Sequence, residues 1–145
     1  MTSHLYLGDI VKSDGTSREN ILARAAKGRG IVRDILQILK DLHLREFYFE
    51  ALKLMRESML LSVLTHNLEV SLNMNAYDLK ILDDMDLMLL RGAMFTSSKS
   101  SCCLLLLELD VTSVEFTIKK KRVGYLYELL TTSVPSLAKQ AFDQH

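Results

Sequence analysis

Apolar residues are spaced at helical intervals over most of this chain. After residue 16 they recur at alternating steps of three and four, which places them on one face of a helix. The pattern predicts helices over Ser17–Lys40, Arg45–Leu64, Asn75–Arg91 and Ser113–Leu130, with a short terminal helix opening at Pro135. The apolar stretch Cys102–Leu109 predicts a short buried segment. The predicted fold is therefore all-α, an irregular bundle of about four to six helices.

The first residues follow a different pattern. His4–Val11 holds β-branched and aromatic residues around Gly8, and Ser13–Gly15 supplies a turn. We therefore predict a short N-terminal strand and turn in residues 1–15, followed by a helical bundle over residues 16–143. A chain of 145 residues is expected to form a single domain, here residues 1–145.

Particular positions on the predicted helices carry further expectations. Gly28 lies on the apolar stripe of the first helix, which indicates close approach of a second helix, whereas Gly30 lies off the stripe and suggests a local bend. In the second helix, Phe47, Ala51, Leu54, Ser58 and Leu61 share one face. We expect Leu54 to share a core with Leu82 and with Leu36 or Leu39. The apolar arc of residues 47–64 is wide, so any uncovered part would favour a homodimer or a partner helix.

Charge is balanced overall but unevenly distributed, with 18 basic and 18 acidic residues. Residues 12–40 carry seven basic and three acidic side chains, a net charge of +4. Residues 41–90 carry four basic and nine acidic side chains, a net charge of −5. Residues 91–145 carry seven basic and five acidic side chains, a net charge of +2. An anionic partner is therefore expected at the first or the last of these segments.

Membrane and secretion signals are not evident. The central uncharged run between Glu57 and Glu69 is too short and too polar to span a bilayer. The N-terminus has no basic region followed by an apolar core, as a signal peptide would. Adjacent Cys102 and Cys103 suit neither a disulfide nor a zinc site. We expect no membrane contact and an intracellular, reducing location, cytoplasmic or nuclear.

Several motifs favour ordinary structural roles over chemistry. Asp83 and Asp84 superficially match a polymerase metal dyad, but they lie within a helical pattern rather than a hairpin, which favours a solvated face. Gly28-Arg29-Gly30 lacks the third glycine and the preceding strand of a phosphate-binding loop. Cys102 and Cys103 adjoin four leucines and are expected to be core thiols. We predict no metal site, no cofactor and no catalytic residue.

Two basic groups are the candidate nucleic-acid contacts. The first follows one helix and the second is the densest basic run: Arg24, Lys27, Arg29 and Arg33; Lys119, Lys120, Lys121 and Arg122. Such side chains bind phosphates without reading sequence. A solvated helix face, with the side-chain stems covering apolar surface, is the alternative explanation.

The order of these segments resembles a known family. The motifs are Leu5–Gly15, Ile21–Gly28, Tyr48–Glu50, Arg56–Ser58, Leu82–Arg91, Leu107–Asp110 and Lys119–Leu130. Together they resemble the region that follows the palm in reverse transcriptases of non-LTR (LINE-type) retrotransposons, over roughly residues 5–130. In that family the region is thumb-like and grips the backbone of the template–primer.

The chain also departs from the family pattern. Leu68–Ser71 stands where the family has Ser-Glu-x-Trp, and Asp110 replaces a glycine. The family's catalytic Tyr-x-Asp-Asp hairpin has no counterpart. The resemblance therefore implies a degenerate, non-catalytic fragment of an RNA-directed DNA polymerase with at most weak, sequence-independent binding of RNA or DNA. The alternatives are a helical protein–protein interaction module or a relic without a selected function.

Overall fold

The computed structural model describes residues 3–6, 9–12, 18–42, 46–68 and 74–131, and it confirms a mainly helical chain. The elements are β1 (Ser3–Tyr6), β2 (Asp9–Lys12), α1 (Arg18–Leu42), α2 (Tyr48–Met55), a π-helical turn (Arg56–Leu61), α3 (Ser62–Leu64), α4 (Ala76–Ala93), α5 (Cys102–Leu109) and α6 (Val114–Thr131). The predicted N-terminal strand is two short strands that pair antiparallel, with Ser3 opposite Lys12. The predicted turn at 13–15 and the helix opening at Pro135 lie outside the described residues.

Helices α1 and α4 pack side by side and run in the same direction. The Arg18 guanidinium lies 4.7 Å from the ring centre of Tyr77, near the start of each helix. Near their ends, the position of a Cβ on Gly92 would lie 2.8 Å from Cδ1 of Leu36. One hydrophobic cluster extends from Ile21 in α1 to Ile118 in α6.

Gly28 allows α1 to approach the segment formed by α2, the π-helical turn and α3, which we call helical segment 48–64. A Cβ at Gly28 would lie 2.9 Å from Cδ2 of Leu64, so a larger side chain would force the core to shift. The expected close approach is confirmed. Gly30 has nothing within 4 Å of its Cβ position, and α1 continues through it, so the suggested bend does not interrupt the helix.

The inward face of helical segment 48–64 differs from the prediction. Leu54 is 67% exposed and Phe47 is also exposed, whereas Leu52 is fully buried. Four of the buried positions are spaced by four residues: Leu52, Arg56, Leu60 and Leu64. Leu61, which belongs to the predicted stripe, is buried as well. The π-helical turn is wider than an α-helical turn, which keeps residues four apart on one face. The stripe assigned to Leu54 and Ser58 is therefore wrong, while Leu39 and Leu82 do lie in the shared core.

The ends of α4 follow local sequence rules. Asn75 caps the helix through a reciprocal capping box, in which its side chain accepts from the Asp78 N–H and the Asp78 carboxylate accepts from the Asn75 N–H. At the other end the N–H of Phe95 donates to Gly92 and that of Thr96 to Arg91, the hydrogen bonds of a Schellman motif. Phe95 has a φ of 54°, a conformation that favours glycine.

Residues 102–109 form a helix that is only partly buried. Leu105 and Leu109 face the core, but Leu104, Leu107 and Cys103 are exposed. The predictions of a buried segment and of core thiols are therefore wrong for the outward face of α5, because α5 packs on α4 through its other face. Among the described residues, none of the helices combines the length and apolar character needed to cross a bilayer.

Candidate nucleic-acid interface

The basic side chains of α1 divide into one buried and three exposed residues. Arg24 is 7% exposed, and its Nη1 donates to the carbonyl oxygen of Val63 at 3.3 Å. Lys27, Arg29 and Arg33 are exposed to solvent. The expectation that Arg24 contacts phosphate is corrected, because a guanidinium turned into the bundle toward a backbone carbonyl is not presented to a ligand.

The basic run of α6 is spread around the helix. Lys119 forms an exposed ion pair with Glu115 at 2.6 Å, one turn away, and Lys120 is exposed. Lys121 donates from Nζ to Oγ1 of Thr65 at 2.8 Å. Arg122 is half-buried, and its Nε donates to the carbonyl oxygen of Leu68 at 3.4 Å. Four consecutive cations therefore face at least two different environments.

The two basic groups meet at the turn that ends helical segment 48–64. Arg24 from α1 reaches Val63, while Lys121 and Arg122 from α6 reach Thr65 and Leu68. The last carbonyls of a helix lack intrahelical partners, and that end of the helix dipole is negative. Cations from both sides therefore stabilise this turn. The two basic groups are far apart in sequence, but side chains of both contact this turn.

A pocket of about 300 Å³ lies between helical segment 48–64 and α6. Its lining is mixed in character: Glu57, Leu61, Ser62, Thr65, Thr112, Phe116, Thr117, Lys120 and Lys121. Two lysines of the predicted site, Lys120 and Lys121, therefore share one concave surface. A pocket that combines cations, hydroxyl groups and an aromatic ring can hold a small polar ligand.

A buried ion pair beside this pocket was not predicted from the sequence. Arg56 and Asp86 are 2% and 3% exposed, and Nε and Nη2 of Arg56 lie 2.7 Å from Oδ1 and Oδ2 of Asp86. Nη2 also donates to the carbonyl oxygen of Thr112 at 2.7 Å. The available signal was the position of Asp86 on the apolar stripe of its helix, where a charge requires a partner.

The acidic cluster of α4 is not a uniformly solvated face. Asp84 is exposed, Asp83 is half-buried and Asp86 is buried, so the solvated-face interpretation of Asp83 and Asp84 holds fully for Asp84 alone. Burial, followed by the negative charges of Asp86, Glu115 and Asp84, raises the pKa of Asp83 to about 6. Within the part of the chain that the structure describes, no group of three or more His, Cys, Asp or Glu side chains could hold a metal ion.

The adjacent cysteines differ in environment. Cys102 is partly buried at the start of α5, and Cys103 is exposed. Burial, with the nearby carboxylate of Asp83 adding to it, raises the pKa of the Cys102 thiol. This environment disfavours the thiolate of Cys102. Reactive cysteines have a lowered pKa, so Cys102 lacks the property that makes a cysteine reactive.

Comparisons of this chain with known protein families, curated proteins and solved structures found no match.

Proposed function

We propose that this chain is a non-catalytic, sequence-independent nucleic-acid-binding module that resembles the thumb-like region of LINE-type reverse transcriptases. The observation that carries the proposal is that side chains of α1 and of α6 both contact residues 63–68. Two segments of net positive charge thereby flank one turn. Lys27, Arg29 and Arg33 on α1 and Lys119 and Lys120 on α6 are exposed cations that phosphates can reach.

Binding of this kind is electrostatic and weak. A few lysine and arginine contacts with phosphates give dissociation constants of about 10⁻⁴ to 10⁻⁶ M, with no preference among base sequences. In the described residues 18–40 the two acidic residues, Glu19 and Asp34, are outnumbered by exposed cations, so the charge of this part stays positive. The exposed cations are Arg18, Lys27, Arg29, Arg33 and Lys40.

The test is the salt dependence of binding. Replacing Lys119, Lys120 and Lys121 by Gln should lower the slope of log affinity against log salt by about one to two units, since each lost phosphate contact contributes about one. The loss should stay below three because the three side chains spread around α6, so one duplex does not contact all of them. Fluorescence anisotropy with a labelled duplex between about 50 and 200 mM salt measures it.

A charge-matched control separates local contact from net charge. The substitutions Lys53→Gln, Lys80→Gln and Lys99→Gln remove the same charge outside both basic groups and should leave the slope nearly unchanged. An equal effect of the two triple variants would exclude the α6 run as the binding site. No binding by the wild-type protein at about 50 mM salt would contradict the proposal itself.

Self-association is a second candidate function, favoured by Phe95. This side chain is 87% exposed on a backbone of positive φ, and it lines a pocket of about 280 Å³ with Tyr48, Phe49 and Met94. In a monomer this ring would stay in solvent, and its backbone conformation favours glycine. Contact with a second copy of the chain would bury the ring and account for both features.

The variant Phe95→Gly separates a contact role from a folding role. It should raise the free energy of unfolding by about 1 kcal/mol, because glycine adopts this conformation without strain. If Phe95 forms the contact, the same variant should shift a dimer toward monomer in sedimentation. A wild-type protein that is monomeric at all accessible concentrations would contradict this second candidate.

A further inference from the structure

We infer that the pocket between helical segment 48–64 and α6 binds a nucleoside phosphate, presented as one unpaired nucleotide of a strand. The phosphate lies against Lys120 and Lys121, and the base lies against Phe116. This inference deepens the proposed function and rests on it for the choice of a strand as the source of the nucleotide. The contacts of the lining residues carry the inference.

The cationic end of the pocket is held in place by hydrogen bonds. The Thr65 hydroxyl donates to the carbonyl oxygen of Leu61 at 2.7 Å, so its oxygen is free to accept from Nζ of Lys121 at 2.8 Å. The ammonium of Lys121 uses one of its three N–H donors in this way and keeps two. Lys120 adds a second charge against the one carboxylate of Glu57, so the charged side chains lining the pocket sum to +1.

The aromatic residue of the pocket, Phe116, lies on the same face of α6 as Lys120. Phe116 and Lys120 are four residues apart, and so are Thr117 and Lys121, which places each pair on adjacent turns. Ser113 fixes the start of the helix by accepting from the N–H of Phe116 at 3.2 Å. Phe116 is 54% exposed, so part of its surface is available for stacking. An aromatic ring beside cations is the arrangement that binds single-stranded bases and phosphates together.

The hydroxyl groups in the pocket act as acceptors. Ser62 donates to Ser58, Thr65 to Leu61 and Thr117 to Ser113, each through its hydroxyl to a backbone carbonyl. Their hydrogens are therefore committed, and what their oxygens retain is the capacity to accept. Such a wall suits the N–H donors of a base or the hydroxyls of a sugar, whereas the lysines suit the phosphate. A plain anion would use only one end of the pocket.

Size and access favour an unpaired nucleotide. About 300 Å³ lies at the lower end of the range for small-molecule sites. A base within a duplex has both faces covered by its neighbours, so stacking on Phe116 requires a base outside the helix. The pocket should therefore give the protein a preference for single strands that phosphate contacts alone do not provide.

The experiment compares a thymidine oligonucleotide with a duplex of equal phosphate number, for the full chain and its variants. Phe116→Leu keeps an apolar wall but removes the ring, and it should weaken single-strand binding roughly 5- to 150-fold while duplex binding changes little. Phe116→Tyr should restore the single-strand preference. Lys120→Gln should weaken single-strand binding more than Lys119→Gln does, since the two adjacent lysines carry equal charge but only Lys120 lines the pocket.

Two outcomes separate this inference from the proposed function. If Phe116→Leu weakens both probes equally, or neither, the pocket inference is overturned while salt-dependent binding still supports the proposed function. If the wild-type protein binds neither probe, the proposed function fails. The pocket is then tested separately with thymidine 5′-monophosphate. Amide shifts at Thr65, Thr112 and Thr117 in an NMR titration with this nucleotide would sustain the pocket as a site for a free nucleotide, and unchanged shifts would overturn it.

Discussion

Arg56 and Asp86 form a two-pronged ion pair inside the bundle, 30 residues apart in sequence. Arg56 begins the π-helical turn, and Asp86 lies in the middle of α4. Both side chains are almost completely buried, so neither charge is compensated by solvent. The third bond of Arg56, to the carbonyl oxygen of Thr112, extends the pair to the residues just before α6. One guanidinium thus connects three parts of the fold beside the candidate nucleotide pocket.

Removing one partner of the ion pair should lower the free energy of unfolding strongly, whereas replacing both partners should lower it little. Arg56→Met and Asp86→Leu each leave one charge buried without its partner, and each should lower the free energy of unfolding by about 3–5 kcal/mol. The double variant removes both charges and should recover most of that loss. Urea unfolding of the four proteins measures the coupling. Additive losses in the double variant would mean that the pair does not act as a unit.

The inward face of helical segment 48–64 can be tested with two leucines that lie two residues apart. Leu52→Ala should lower the free energy of unfolding by about 2–5 kcal/mol, because Leu52 is fully buried and its truncation leaves a cavity. Leu54→Ala removes the same atoms from an exposed position and should change stability by less than about 0.5 kcal/mol. Denaturant unfolding compares the two, and a larger loss for Leu54→Ala would reverse the assigned face.

Two glycines of α1 should respond to alanine in opposite ways. Gly30→Ala should raise the free energy of unfolding by about 1 kcal/mol, because alanine favours the helix and nothing lies near its Cβ. Gly28→Ala carries the same helical gain but places a Cβ within 2.9 Å of the packed Leu64 side chain. We expect no gain or a net loss there. A similar stabilisation by both variants would show that α1 does not approach Leu64 closely.

Asp83 should make stability depend on pH. Its pKa rises from 3.8 to about 6 on folding, so the folded state holds the proton more tightly than the unfolded chain. The free energy of unfolding attributable to Asp83 therefore falls as the pH rises from about 4 to about 6. Asp83→Asn should stabilise the protein at about pH 7 by up to about 3 kcal/mol, and the gain should disappear below about pH 4.

The control for this pH effect is the neighbouring Asp84→Asn. Asp84 is exposed, so removing the same charge there should give a much smaller gain. Thermal unfolding of the wild type and both variants across this pH range distinguishes them. A gain for Asp83→Asn that stays constant from pH 4 to 7 would contradict the assignment, because helix propensity rather than ionisation would then be responsible.

Features that depend on neighbouring residues could be predicted from the sequence. Asn75 and Asp78 form the predicted start of α4 because a capping box involves only residues three apart. Leu82 is buried as predicted, together with Met85 and Leu89 of the same helix, since the two sides of α4 differ in polarity. Gly28 indicated a close helix contact because it is a glycine, with no side chain, on the apolar stripe of its helix.

The face of helical segment 48–64 could not be predicted in the same way. Apolar residues surround most of this segment, so periodicity alone does not distinguish Leu52 from Leu54. The π-helical turn at Arg56–Leu61 then changes the rotation of every residue after it. The apolar spacing of residues 56–61 gives no local signal for this turn.

The candidate site combines both kinds of information. The sequence by itself determined which helices are basic and that the cations of α6 spread around their helix, because charge and helical period are local properties. Only the tertiary structure decided that Arg24 is turned inward, that Lys121 reaches Thr65 56 residues away, and that Phe116 shares a pocket with Lys120. These relationships depend on how separate helices pack, and many packings satisfy the same local pattern.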